Sequence, residues 1–347
     1  MNVLYFIGNG FDLNIGLKTR FTDVLSAYIC KESNNVVLSS FKEHINKNFN
    51  TWAIFEEMMG KYTDVIKKKE TPIETLLDYS ACIYDFRVFL KNYLMNEEKK
   101  VNYSDKKNIA KTINDSLFKF KQCLNCDPKI IDDILEKEII KFSFISFNYT
   151  SVFDNCLEIF KNSGIFPLEK RIKNDVFNIT RFNVLGDVFH IHGTLDNNMI
   201  LGVNDIRQIK NSSLHSLEKL STYIKPIAND ELENHRNTDA IKLINEADIY
   251  CIFGMSLGNT DKKWWLEIGM QLEKIPNKQL IIYAYDENHD SSFPENTLEA
   301  KDCYKNIFFN HFKYTALDKD DIKKNIRKNI HVVMNGDIFN IELLYSE

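Results

Sequence analysis

Residues 2–7 (Asn-Val-Leu-Tyr-Phe-Ile) are an apolar run too short for a helix and closed by Gly8, so they predict a buried strand. Three further runs have the same character: Phe142 to Phe147, Ile249–Phe253 before Gly254, and Leu280–Tyr285. Asp187–His192 and Ile330–Met334 also read as strands. Between them the apolar spacing turns helical. A helical pattern begins near Phe21, and residues 35–140 are almost wholly helical. Thr71-Pro72-Ile73-Glu74 is a capping box with proline at the first helical position. Ile73, Leu76, Leu77, Ile83, Phe86, Leu90 and Leu94 follow at helical spacing and are expected on its apolar face. Ile109, Ile113, Leu117, Phe120 and Leu124 mark a second helix. Asp127-Pro128 opens a third, carrying Ile130, Ile131, Ile134 and Leu135. Further helices are expected after Asn148-Tyr149-Thr150 to about residue 161 and over Trp264–Leu272.

Strands alternating with helices predict an α/β fold, a Rossmann-like parallel sheet covered on both faces. Its first strand is separated from the rest by a large helical insertion. The expected division is a discontinuous nucleotide-binding core (1–34 and 141–294), an insertion (35–140) and a C-terminal segment packing on the core (295–347).

Composition narrows the chemistry. A formal net charge of -5, with only 7 arginines among 44 basic residues, is not the footprint of a nonspecific nucleic-acid binder. No apolar run reaches the roughly 20 residues of a membrane span. The N-terminal run lacks a basic flank and a cleavage site, so a cytoplasmic protein without membrane contact is expected. Seven scattered cysteines argue against a disulfide framework. Cys123 and Cys126 form one C-x-x-C with no second pair, read as two ordinary thiols, and no metal site is expected. Glycine is scarce, 12 in 347 residues. Half of it (Gly8, Gly10, Gly16, Gly193, Gly254 and Gly258) lies in three candidate ligand loops.

Four loops carry candidate chemistry, and in open α/β sheets ligands bind at the carboxyl ends of strands. Gly8-Asn9-Gly10-Phe11-Asp12 follows the first strand and could cradle a phosphate on outward-pointing amides. It fails the dinucleotide fingerprint because Leu13 holds the third glycine's place, and it fails the P-loop spacing. Otherwise it is a tight turn. Asn148 in Phe147-Asn148-Tyr149-Thr150 could orient a hydroxyl or water; Asn148 and Thr150 are equally good helix caps. In His190-Ile191-His192-Gly193, alternation puts both histidines on one strand face, and His192 could act as a general base. Gly254-Met255-Ser256-Leu257-Gly258 matches the nucleophile-elbow pattern, with Asp286 and His311 or His331 in the right chain order. Asn259-Thr260-Asp261, however, offers fresh helix caps, which suits a ribose or phosphate loop better. Trp52 and Glu56 share one helix face and could line a pocket or form a rim salt bridge.

Taken in order, Gly8-Asn9-Gly10-Phe11-Asp12, Ser146-Phe147-Asn148-Tyr149-Thr150, His190-Ile191-His192-Gly193 and Ile252-Phe253-Gly254-Met255-Ser256-Leu257 resemble the AbiH family, bacterial abortive-infection proteins acting against phage. The resemblance extends over nearly the whole chain, including Trp52–Glu56 and Val332–Phe339. The same order is similar to a divergent sirtuin-type NAD-binding core. That resemblance implies NAD as substrate, with Asn148 near the nicotinamide ribose and His192 as the catalytic base. It also implies a binding shell of Gly8, Asn9, Gly10, Phe11, Asp12, His190, Gly193, Gly254, Ser256 and Leu257. Two departures stand out. Asp12 replaces a small hydroxyl residue and would repel a pyrophosphate unless turned away, protonated or metal-bridged. The four-cysteine zinc module of deacetylating sirtuins is missing, which favours cleavage of NAD+ by water. The expectation is a phage-defence NAD+ glycohydrolase, released by a phage-derived trigger, with the insertion as lid or homo-oligomer interface. The alternatives are a nucleotide sensor without hydrolysis, a serine hydrolase through Ser256, and a nuclease toxin.

Overall fold

The computed structural model describes residues 1–48, 51–66, 69–124, 139–165, 169–173, 178–232 and 235–341. Its strands are β1 (Asn2–Ile7), β2 (Lys141–Ser146), β3 (Glu169–Lys173), β4 (Asn178–Phe182), β5 (Val184–His190), β6 (Ile249–Phe253), β7 (Gln279–Ala284) and β8 (Ile330–Met334). Six of them form one parallel sheet in the order β5-β2-β1-β6-β7-β8, while β3 and β4 pair antiparallel by themselves. The central strands are continuous apolar runs because helices cover both faces. All five residues of β6 are buried, as are five of the six in β1 and in β7.

The order matters more than the strand count. The chain runs outward from β1 to β2 and β5, then returns to lay β6 on the other side of β1. The crevice between β1 and β6 is thus the topological switch point of a doubly wound, Rossmann-like sheet. Ile7 is in register with both Ser146 and Phe253, so the loops after β1, β2 and β6 emerge side by side.

Helices Lys106–Leu117 and Val152–Lys161 pack on one face around Tyr5, Phe142 and Phe144. Helices Arg236–Glu246, Lys262–Lys274 and Pro294–Asn310 pack on the other around Phe6, Ile252 and Trp265. A second apolar core joins Phe21–Ile29, Val36–Asn48, Trp52–Val65 and Pro72–Glu98 to residues 195–224. This second core is shared between the insertion, Phe21–Ile29 and residues 195–224, while helix Lys106–Leu117 packs on the sheet instead.

The expected capping box is present, and several other expectations are revised. The capping box forms on both sides, with Thr71 accepting from the Glu74 amide and Glu74 from the Thr71 amide. Ile73 and Leu77, expected on the apolar face, point to solvent instead. Leu76, Ile83, Phe86, Leu90 and Leu94 are buried. The second insertion helix stops at Leu117 and continues as a 3-10 turn, Lys119–Cys123. The Asp127-Pro128 helix and Cys126 lie outside the described residues. Strand β5 starts earlier than expected and ends at His190, so His192 is past the strand. Among the described residues no helix is long and apolar enough to cross a membrane.

Candidate functional site

Two of the candidate loops meet at the switch point. The Gly8 amide donates to Phe253 O and the Gly10 amide to Gly254 O, both at 2.9 Å. A Cβ on Gly10 would sit 2.3 Å from Gly254 Cα, and one on Gly8 2.6 Å from Gly254 O. The glycines are thus needed where two backbones touch, and Gly254 also adopts a φ of +69°. The expected cradle is corrected accordingly: the Gly8 and Gly10 amides are spent inside the protein and do not point outward. Gly193 (φ +79°) is closed on by the carbonyls of Asn197 and Asn198 in the same manner.

The other predicted residues divide by what they touch. Phe11 is wholly buried, edge-on to Phe153 at 5.0 Å, and serves the core. Asn9 donates to Thr19 O, which also accepts the Trp52 indole N–H. Leu257 is buried, with φ +53°, and its carbonyl accepts from His311 Nε2. Ser256 is exposed, and a full helical turn begins only at Lys262. His311 and His331 Nε2 are engaged at Leu257 O and Gln279 Oε1. That geometry lacks the sharp strand-to-helix turn of a nucleophile elbow.

Asp12 lies inward. Thr150 Oγ1 donates to it at 2.6 Å and Asn148 Nδ2 at 3.3 Å. Neither Asn148 nor Thr150 caps the following helix. Those hydrogen bonds turn the carboxyl away from the loop surface, and burial pushes Asp12 up to about 7 against them. A folded-state pKa above the unfolded one makes the stabilising contribution full below about pH 4 and lost as pH rises through 7. Asp12→Asn should therefore cost progressively less, relative to wild type, as pH is raised from 4 to 7. Urea titrations at several pH values read this; a constant difference would contradict it.

The two histidines serve different partners, which corrects their placement on one strand face. His190 donates through Nδ1 to Asn148 O at 2.9 Å, and its Nε2 lies 3.0 Å from Asp154. Burial opposes its charge, but Asp154 and that carbonyl outweigh it and hold the imidazole above its ordinary range. His192 turns past the strand end, and its Nε2 lies 2.9 Å from Asp261 Oδ1. Phe147 packs edge-on to the His192 ring at 5.3 Å and stacks on Trp265, fixing the ring.

Behind His192 runs a buried charge network that sequence reading missed. Lys225 Nζ donates to Asp261 Oδ1 at 3.2 Å and to Glu56 Oε2 at 2.7 Å. Thr260 Oγ1 donates to the same Glu56 oxygen. Thr260 and Asp261 are therefore not spent as caps, and the Glu56 ion pair is internal, not at a rim. Burial disfavours the Lys225 charge, but Asp261 and Glu56 together hold it above the ordinary lysine range. Burial likewise opposes the Asp261 charge, but Lys225 and His192 keep it well below the usual carboxylate range. Burial and the nearby Lys225 charge push His192 down to about 4. It is thus neutral at pH 7, with Nε2–H on Asp261. Its Nδ1 is buried without a hydrogen-bond partner. An orienting carboxylate on one ring nitrogen and an unpartnered lone pair on the other form the arrangement that general-base chemistry requires.

Asp12, Asn148 and His192 are only 1%, 6% and 4% exposed, so these groups are shielded from solvent. The model of the family described as bacteriophage abortive infection AbiH matches residues 4–284. The match takes in all four loops and Trp52–Glu56 but not Val332–Phe339. No curated protein matches the chain.

Proposed function

Because the chain belongs to the bacteriophage abortive infection AbiH family, we propose that it is a cytoplasmic phage-defence effector that hydrolyses NAD+ to nicotinamide and ADP-ribose on infection. The observation that carries this reading is the His192–Asp261 pair, with Nδ1 unpartnered, at the carboxyl edge of a Rossmann-like sheet. The sirtuin-like order of the loops supplies the substrate class.

Water adds to C1′ of the nicotinamide ribose as the glycosidic C–N bond breaks. The bonding electrons leave with nicotinamide, which departs neutral. The water proton passes to His192 Nδ1, and Asp261 stabilises the imidazolium that forms. Asn148 positions the ribose or the water, with its amide fixed by Asp12. Asp12 does not oppose the pyrophosphate, since it faces Thr150 and Asn148. The spent amides of Gly8 and Gly10 leave Ser256 as the exposed polar group of the switch point for ribose or phosphate. The shielded His192 and Asn148 suit a resting state, because unregulated loss of NAD+ would kill the host. A phage-derived trigger would open it.

Purified protein, alone and with phage lysate, should release nicotinamide from NAD+ in a chromatographic assay. Stabilisation by NAD+ without any product, in both conditions, would replace hydrolysis by nucleotide sensing.

A further inference from the structure

The longest helix of the insertion, Pro72–Glu98, leaves a second apolar stripe uncovered. Ile73, Leu77, Tyr84 and Val88 are 59%, 54%, 71% and 40% exposed. With Ala81 they recur at steps of four, four, three and four residues, the spacing of one helix seam. The face opposite already packs into the insertion core through Leu76, Ile83, Phe86 and Leu90. The outer stripe spans sixteen residues, about 22 Å of helix from Ile73 to Val88.

The stripe reads the same in both directions. Reversed about the midpoint between Ser80 and Ala81, Ile73 falls on Val88 and Leu77 on Tyr84. Large apolar residues would thus meet large apolar residues. The crossing point holds only Ser and Ala, which lets two helix axes approach to roughly 8 Å. Charge follows the same symmetry. The reversal puts Glu70 against Lys91 and Glu74 against Arg87. Glu74 is already committed to its capping box and Arg87 to Leu201 O. Glu70 and Lys91 are the complementary pair left, and Lys91 reaches Asp196 only at 3.9 Å. A parallel pairing would instead set Glu70 against Glu70 and Lys91 against Lys91.

We propose that this stripe is an isologous interface, occupied by the same helix of a second copy of this chain running antiparallel about a two-fold axis at Ser80–Ala81. The inference does not depend on the proposed hydrolysis.

Sedimentation equilibrium of the full chain should give a concentration-dependent dimer. Leu77→Glu should make it monomeric with unchanged circular dichroism, since Leu77 lies outside the core. Tyr84→Lys repeats the test should Leu77→Glu fold poorly. Lys91→Glu should weaken the dimer, and Glu70→Lys with Lys91→Glu should restore it. In a background with the exposed Cys30 and Cys303 replaced by serine, Ala81→Cys should give, on mild oxidation, a disulfide-linked dimer that the background chain does not form. Ile73→Cys should link to Val88→Cys in a mixture and not to itself. A monomer at all concentrations, a dimer indifferent to both Leu77→Glu and Tyr84→Lys, or self-linking by Ile73→Cys would overturn the proposal.

Discussion

Lys225→Met should destabilise the fold by about 3–5 kcal/mol, the usual cost of removing one partner from a buried ion pair. The ammonium is buried and lies within hydrogen-bonding distance of both Glu56 and Asp261. Without it, Glu56 and Asp261 lose the cation that both contact, and the histidine on Asp261 is neutral at pH 7. The expected reading is a lower urea midpoint at an unchanged m-value. Glu56→Gln combined with Lys225→Met should recover part of the loss, because it removes one of the stranded charges. The double variant also separates electrostatics from packing. If it is no better than Lys225→Met alone, the lost contacts of the lysine stem carry the effect and the network argument is wrong.

Asp261→Asn should lower nicotinamide release by roughly 10²–10⁴-fold, the range a positioned acid–base group contributes. An amide can donate to His192 Nε2 and so favours the tautomer with its proton on Nδ1, where the water proton must go. His192→Ala should abolish release, with NAD+ binding retained. Because burial and Lys225 hold His192 down near 4, wild-type kcat/KM should stay level down to about pH 5 and fall only below it. The sign follows from the role: a base works unprotonated, so activity is lost on the acid side of its pKa. An acid limb centred near 6.5 would mean that a different group is titrating. Asp261→Asn should cost less stability than Lys225→Met, since Lys225 keeps Glu56 as a partner.

The positions of the candidate loops were legible because they follow from local patterning. Short apolar runs closed by glycine or asparagine mark the carboxyl ends of β1, β2 and β6, and the structure sets these ends side by side. His192 and Asn148 stand out by residue type at a strand end. Lys225, Thr260 and Asp261 do not stand out as partners in the sequence, since nothing local distinguishes a buried lysine or aspartate from a solvated one. Asp261 even reads as a helix cap, yet its side chain makes no cap hydrogen bond. Glu56 was visible as a helix neighbour of Trp52, but its partner lies 169 residues away.

The sequence by itself determined the fold class, the insertion after the first strand and the ordered loops that resemble one family, because period, length and turn chemistry are local properties. Tertiary structure alone decided three things. It placed β6 beside β1, so that the glycines of two distant loops meet backbone to backbone. It sent His190 to Asp154 and His192 to Asp261, because the strand ends between them and alternation stops there. It also turned Ile73 and Leu77 outward, since helical spacing identifies an apolar residue's angular position but not which side of the helix the core will occupy.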